Sequence, residues 1–171
     1  MARKVLNNIA GMRVLWDGEE VEDVTRITLP NLEHATTEIA ANGMIADVEI
    51  PDMTHFKAMT LSIAHNNGVN CDKLSTPKKH RIEIRTARQK YDIPEAEIGH
   101  EPDRYRATVL HKTTTKGDLE KSNPYGSTDE FAVVRYEEII DGKTVVLLDA
   151  MTGQVIINGK NYYDEVEQYL K

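Results

Sequence analysis

The sequence predicts a mainly β protein: a β-sandwich or partly open β-barrel with one short helix and a second helix at its C-terminal end. Three observations carry this expectation. Apolar and polar residues alternate strictly in several runs, Asp-Gly and Asn-Gly pairs stand between runs, and helical periodicity is confined to short stretches.

In chain order, Arg3-Lys4 before Val5-Leu6 opens like an export signal, but Asn7-Asn8 break the apolar stretch and none is expected. Residues 1–11 are instead expected as an N-terminal arm. Asp17-Gly18 follows Met12–Trp16 as a hairpin turn. From Val24 to Leu29, Thr25, Ile27 and Leu29 face one way against Arg26 and Thr28, the period-2 pattern of a half-buried strand. Thr54 to Ile63 places Met59, Leu61 and Ile63 on one side and Phe56 and Ala58 on the other, and predicts a strand. Asn70–Leu74 predicts a short helix, limited by Pro77.

His80 to Thr86 alternates most sharply, with Ile82 and Ile84 opposite Arg81, Glu83 and Arg85. Tyr105–Leu110, Phe131–Ile139 and Lys143–Asp149 are strands rich in β-branched and aromatic residues. Between them, His111–Thr128 holds Gly117, Asn123-Pro124 and Gly126, and reads as a long surface connection. Asp141-Gly142 is the strongest hairpin signal in the chain, and Asn158-Gly159 marks a turn after the Val155–Ile157 strand. Tyr162, Tyr163, Val166, Tyr169 and Leu170 at helical spacing predict a short amphipathic helix over 161–170.

The chain has 171 residues, which predicts a single domain over 1–171. Its 21 basic and 28 acidic side chains leave a formal charge of −7. Phe131–Val134 and Val145–Leu148, each four residues, are the longest apolar runs, against about 20 residues for a membrane-spanning helix, so no membrane insertion is expected. One cysteine, Cys71, excludes an internal disulfide and a zinc site built from several thiolates. The expectation is a soluble, acidic protein, intracellular when made.

Chemistry is hard to place on these residues. The six histidines, His34, His55, His65, His80, His100 and His111, lack the close pairing that metal sites need. Adjacent acids such as Glu19-Glu20, Asp129-Glu130 and Glu137-Glu138 point to opposite faces of a strand, which suits solvation rather than shared acid–base work. There is no nucleophile elbow, phosphate-binding glycine loop or dinucleotide fingerprint. Lys73 is placed to lower the Cys71 thiol pKa, yet a lone cysteine is more often structural. The basic run Lys78-Lys79-His80-Arg81, with Arg85, Arg88 and Lys90 beyond, has only Tyr91 near it as an aromatic platform for nucleic acid. No catalytic residue, metal or cofactor is expected, and an enzyme has no positive support. What remains is surface, which suits assembly.

The stretch Val24–Glu33, read Val-Thr-Arg-Ile-Thr-Leu-Pro-Asn-Leu-Glu, followed by Gly43-Met44, resembles the major tail tube proteins of contractile-tailed phages. The closing order agrees: Phe131–Ile140, the Asp141-Gly142-Lys143 turn, Val145–Asp149, Val155–Gly159 and a terminal helix. The likeness is weaker over residues 64–125.

The resemblance implies a non-contractile inner tube whose subunits form hexameric rings, close their strands into a continuous inner barrel, and stack. Its implied partners are copies of itself, the tail sheath protein, the tape measure protein, the baseplate hub, the tail terminator, and DNA that passes without tight binding. Its implied location is the virion tail, assembled in the host cytoplasm. Six subunits at −7 would carry −42, which repels a polyanion if enough of it faces inward; otherwise these acids serve solubility.

Candidate subunit or ring contacts are Asn31, Leu32, Glu38, Ile39, Gly43 and Met44 in an extended hairpin or loop over 31–44, and Gly117 and Asp118 in the 111–128 connection. Ile39 and Met44 either touch a neighbouring subunit or return to their own core. Two alternatives stay open: the tube of a bacteriocin-like particle or secretion machine, and a monomeric β-sandwich module that binds a ligand.

Overall fold

The computed structural model describes residues 4–67, 71–93 and 95–171. Residues 1–3 of the expected arm, Asn70 at the head of the expected first helix, and the Cys71 side chain lie outside the described residues.

The strands are β1 (Lys4–Trp16), β2 (Glu19–Val21), β3 (Val24–Thr28), β4 (His34–Ile39), β5 (Val48–Phe56) and β6 (Met59–His65). After α1 (Cys71–Leu74) follow β7 (Lys79–Asp92), β8 (Glu97–Lys116), β9 (Ser127–Ile140), β10 (Lys143–Asp149), β11 (Gln154–Ile157), β12 (Lys160–Asn161) and α2 (Asp164–Tyr169). Ten strands make one antiparallel sheet in the order β12-β11-β10-β9-β8-β7-β1-β2. β9 also pairs along Ser127–Val133 with β6, which carries β3. β4 and β5 form a separate two-stranded sheet.

Three hairpin turns follow from their residues. Asp17-Gly18, Asp141-Gly142 and Asn158-Gly159 all hold positive φ, from +47° to +95°, at both central positions. Such a turn matches the right-handed twist of its flanking strands and favours Asp or Asn followed by Gly.

The core lies on one face of the large sheet. Val14 and Trp16, Ile82 and Ile84, Val109, Phe131 and Tyr136, and Leu148 alternate inward along successive strands, and all are buried. β6 adds Met59, Leu61, Ile63 and, at its end, buried His65. Trp16 and Phe131 meet with ring centroids 5.3 Å apart although β7 and β8 separate their strands. The sheet therefore curls over its apolar face, yet its end strands β2 and β12 do not pair.

Several expected boundaries move. The arm is not free from residue 4 onward: Lys4–Gly11 is the first half of β1, bonded to β7 through bulges that absorb Asn7-Asn8 and Ala10. The 111–128 connection shrinks to ten residues, because β8 runs on to Lys116 and β9 begins at Ser127. The expected strand Thr54–Ile63 divides at Lys57-Ala58, with β5 joining β4 and β6 joining the main sheet. The C-terminal helix is shorter than expected, with no buried residue, and Tyr169 and Leu170 are exposed.

Candidate assembly interface

The β4–β5 hairpin shows two unlike faces. Register pairs Thr37 with Ile50 and Ile39 with Val48, so Ile39, Val48 and Ile50 share one face. Glu38 opposite Glu49, and Thr36 opposite Pro51, share the other. There the Thr36 hydroxyl donates to Glu49 Oε1 at 2.7 Å, and at the hairpin base the Lys57 ammonium bonds Glu33 at 2.5 Å. The apolar face has no cover within the subunit: Ile39, Val48 and Ile50 are 42%, 46% and 47% exposed. Met44 and Ile45 are exposed at the tip, where Met44 N–H donates to the Ala41 carbonyl and Gly43 has φ +99°.

An isolated two-stranded hairpin is marginal in water. An amphipathic one with a bare apolar face is therefore a candidate contact surface. The candidate contacts Asn31, Leu32, Glu38, Ile39, Gly43 and Met44 are brought into this one segment, and Ile39 and Met44 stand outside the subunit core. Sequence reasoning stopped at Met44 and missed Val48, Ile50 and exposed Met53 on the return strand. The alternation of Val48 and Ile50 with Glu49 and Pro51 is the available signal.

Gly117 and Asp118 lie elsewhere, at the end of β8. Gly117 has a local reason to be glycine: a Cβ there would overlap the Gly126 carbonyl oxygen across the neck of the loop.

Two further features belong to the surface. β1 pairs with β2 only over Val14–Trp16, so the rest of that strand is bonded to β7 on one side only among the described residues. The β8 segment Glu97–Pro102 likewise pairs only with β7. Beyond the core, Val5, Tyr91 and Ile98 sit abreast on β1, β7 and β8, all exposed. Open edges beside apolar side chains are places where another chain can add.

Polar groups inside the subunit are tied to one another. Asp129 on β9 and His65 on β6 are both fully buried, 3.5 Å apart, with His111 3.7 Å from the same carboxylate and the Thr114 hydroxyl bonded to it. Burial raises the Asp129 pKa, but the His65 contact, the Thr114 hydroxyl and the nearby His111 outweigh it and hold the carboxyl below its usual range. His80, stacked on Trp16 at 4.4 Å, bonds Asp17 at 2.6 Å, and Arg88 pairs with buried Asp103 at 2.8 Å. These contacts join neighbouring strands. Among the described residues, no three His, Cys, Asp or Glu side chains converge to hold a metal ion.

Comparison with known proteins agrees with the fold. The family model for phage tail tube protein FII matches residues 6–170. The chain belongs to the phage tail tube protein family. No curated protein matches it. Among solved structures it is similar to the sheath/tube terminator of an extracellular contractile injection system, PVC, in its extended state. That match has a TM-score of 0.55 and 9% identity over 77% of this chain and 95% of the other. The PVC sheath-tube complex gives 0.54 and 8% over 75% and 88%, and the tube-terminating cap of the anti-feeding prophage gives 0.55 and 11% over 80% and 93%. The resemblance in Val24–Glu33 and in the closing hairpin thus extends over nearly the whole tail tube chain. A tail tube protein is a structural component of the phage tail, and this chain is a structural tail tube subunit.

Proposed function

We propose that six copies of this tail tube subunit close into a ring and that rings stack into a hollow conduit for DNA. The observation that carries the reading is the incomplete border of the subunit: a curled sheet that does not close, a β1 edge bonded on one side, and a hairpin with a bare apolar face. A contact between unlike surfaces that closes by rotation gives a ring, and closure covers the strand edges of every copy. The segment 31–44 and the return strand β5 supply the contact to the next subunit or ring, with the 117–126 loop, including Asp118, and the open edge of β1 as further contacts.

In this reading the tail sheath protein surrounds the tube, the tape measure protein lies within it during assembly, and the baseplate hub and tail terminator meet its two ends. Assembly takes place in the host cytoplasm, and the subunit does no catalysis. A second reading, the tube of a phage-tail-like particle, is favoured by the fold likeness to contractile injection system proteins. Head and terminase genes beside this one would decide for the phage.

Negative-stain microscopy of the purified full chain tests the proposal. Rings or hollow rods are expected, alone or after addition of a baseplate initiator. A protein that stays monomeric at high concentration even with initiator, and that gains melting temperature with a small ligand, would instead be a binding module.

A further inference from the structure

Asparagine is followed by glycine three times in the chain, at Asn42-Gly43, Asn67-Gly68 and Asn158-Gly159. Asparagine is a thermolabile residue, and a following glycine leaves the attacking backbone nitrogen without a neighbouring side chain to shield it. That nitrogen is one five-membered ring closure away from the asparagine side-chain carbonyl carbon. Both reacting groups belong to one short tether, so the freedom of the local backbone decides which pair reacts.

The structure holds the three pairs differently. Asn158-Gly159 is clamped: both residues have positive φ, Ile157 and Lys160 pair directly on either side, and the Asn158 N–H donates to the Val145 carbonyl at 2.7 Å. Asn67 donates its side-chain amide to Asp23 Oδ2 at 2.8 Å, so the group that must leave is tied. Asn42-Gly43 is loose. The β4–β5 ladder ends at Ile39 and Val48, and residues 40–47 between them are all exposed. A single backbone bond, from Met44 N–H to the Ala41 carbonyl at 3.0 Å, spans the pair as a four-residue turn. Gly43, at φ +99°, takes the third position, where such a turn favours glycine. Among the described residues, neither the Asn42 side chain nor the Gly43 N–H has a hydrogen bond, and a Cβ placed on Gly43 would meet nothing within 4 Å.

The chemistry balances with water alone. The Gly43 nitrogen gives up its proton and bonds to Asn42 Cγ; the Cγ–Nδ2 bond breaks, ammonia leaves, and a succinimide ring closes. Water then opens the ring at either carbonyl. One opening leaves aspartate, and the other leaves isoaspartate, whose main chain runs through Cβ. Each adds a negative charge to a segment, Glu33 to Lys57, that already carries five carboxylates against one lysine. The isoaspartate also lengthens the backbone at the hairpin tip.

We propose that Asn42 is a self-modification site: in the free subunit it converts to isoaspartate and aspartate, and docking of the hairpin tip in the assembled tube shields it. Subunits left unassembled therefore lose assembly competence with age, because a charge placed in a contact that excludes water costs free energy. The shielding and this loss rest on the tube reading, whereas conversion in the free chain does not.

The test ages the full chain in mildly alkaline buffer below its melting temperature, once as dilute subunit and once as rods, and maps its peptides by mass. Amide and carboxylate forms separate by mass, and isoaspartate separates from aspartate by retention time. In the dilute chain Asn42 is expected to convert about tenfold or more faster than Asn158, whose turn must first open from its ladder. In rods the Asn42 conversion should fall by a similar factor. Asn42→Gln, whose ring closure is six-membered and slow, should keep the parent's melting temperature and still assemble after ageing. Asn42→Asp carries the new charge from the start and should raise the critical concentration for assembly by about tenfold.

Conversion at Asn158 or Asn67 as fast as at Asn42 overturns the site. An aged chain, converted at Asn42, that assembles at the fresh chain's critical concentration overturns the loss of competence. Rods that convert Asn42 as fast as the dilute subunit overturn the shielding. A fresh chain that forms no rods even with a baseplate initiator, yet converts at Asn42, refutes the tube reading and leaves the modification site standing.

Discussion

Replacing Ile39, Val48 and Ile50 together by Ser should abolish assembly while leaving the subunit folded. The three side chains form one face of the β4–β5 hairpin and are nearly half exposed in the subunit. Full burial of an aliphatic side chain is worth about 1.5–3 kcal/mol, so covering the exposed half of all three contributes about 2–4 kcal/mol per hairpin contact. At about 1.4 kcal/mol per tenfold, that is roughly 30- to 1000-fold in each contact's equilibrium constant, and the loss recurs at every subunit of a ring. Sedimentation velocity and negative-stain microscopy measure assembly, and thermal unfolding of the dilute chain measures the fold. The expected result is a monomer with a melting temperature within a few degrees of the parent. Rods forming at the parent's critical concentration would refute the reasoning. A large drop in melting temperature would show instead that the hairpin packs on its own subunit.

Other perturbations test the subunit itself. Phe131→Ala removes a fully buried ring that contacts Trp16 and His111, and should cost about 3–5 kcal/mol in denaturant unfolding. Gly117→Ala cannot be seated without moving the Gly126 backbone and should lower the melting temperature, while Gly99→Ala, which meets nothing within 4 Å, should not. Asp129 and Glu83 have folded pKa values below their ordinary ones. Their stabilisation is therefore complete above the ordinary carboxylate pKa, near 4, and is lost as pH falls through the lower folded values. Melting temperature should stay level from about pH 7 to 5 and fall below about pH 4, with Asp129→Asn losing part of that acid dependence.

The strands legible in the sequence are those whose two faces meet unlike surroundings. His80–Thr86 alternates because Ile82 and Ile84 enter the core while Arg81, Glu83 and Arg85 face away from it. The same β7 strand continues to Asp92, yet beyond Thr86 both faces carry polar groups: Arg88 pairs inward with Asp103 while Gln89 points outward. Period 2 vanishes there although the hydrogen-bonded ladder does not. β8 extends past the alternating stretch Tyr105–Leu110 at both ends for related reasons. Pro102 is tolerated because its carbonyl accepts from Asp141 N–H, so its missing N–H lies on that edge and not in the β7 ladder. At the other end, Thr113–Thr115 has the composition of a loop, but Thr114 turns inward to Asp129 and Ser75. The β4–β5 hairpin was legible only on its first side, because its strands match each other and no core.

The contrast between the inner and outer surfaces bears on how such a subunit can be both stable and incomplete. Asp129, His65, Asp103 and His80 are buried polar groups, which cost free energy unless partnered. His65 on β6 faces Asp129 on β9, Asp103 on β8 pairs with Arg88 on β7, and His80 on β7 bonds Asp17 in the β1–β2 turn, so these contacts hold the curled sheet within one copy. The unsatisfied features lie outside: the β1 edge, the row Val5, Tyr91 and Ile98, and the apolar face of the β4–β5 hairpin. A monomeric domain would blunt such an edge with a bulge, a charge or a covering loop. β1 does carry bulges between Leu6 and Gly11, but exposed Val5, Ile9 and Met12 flank or occupy them. A border apolar enough to recruit a neighbour, on a core already closed by its own polar contacts, favours subunits that fold first and join afterwards.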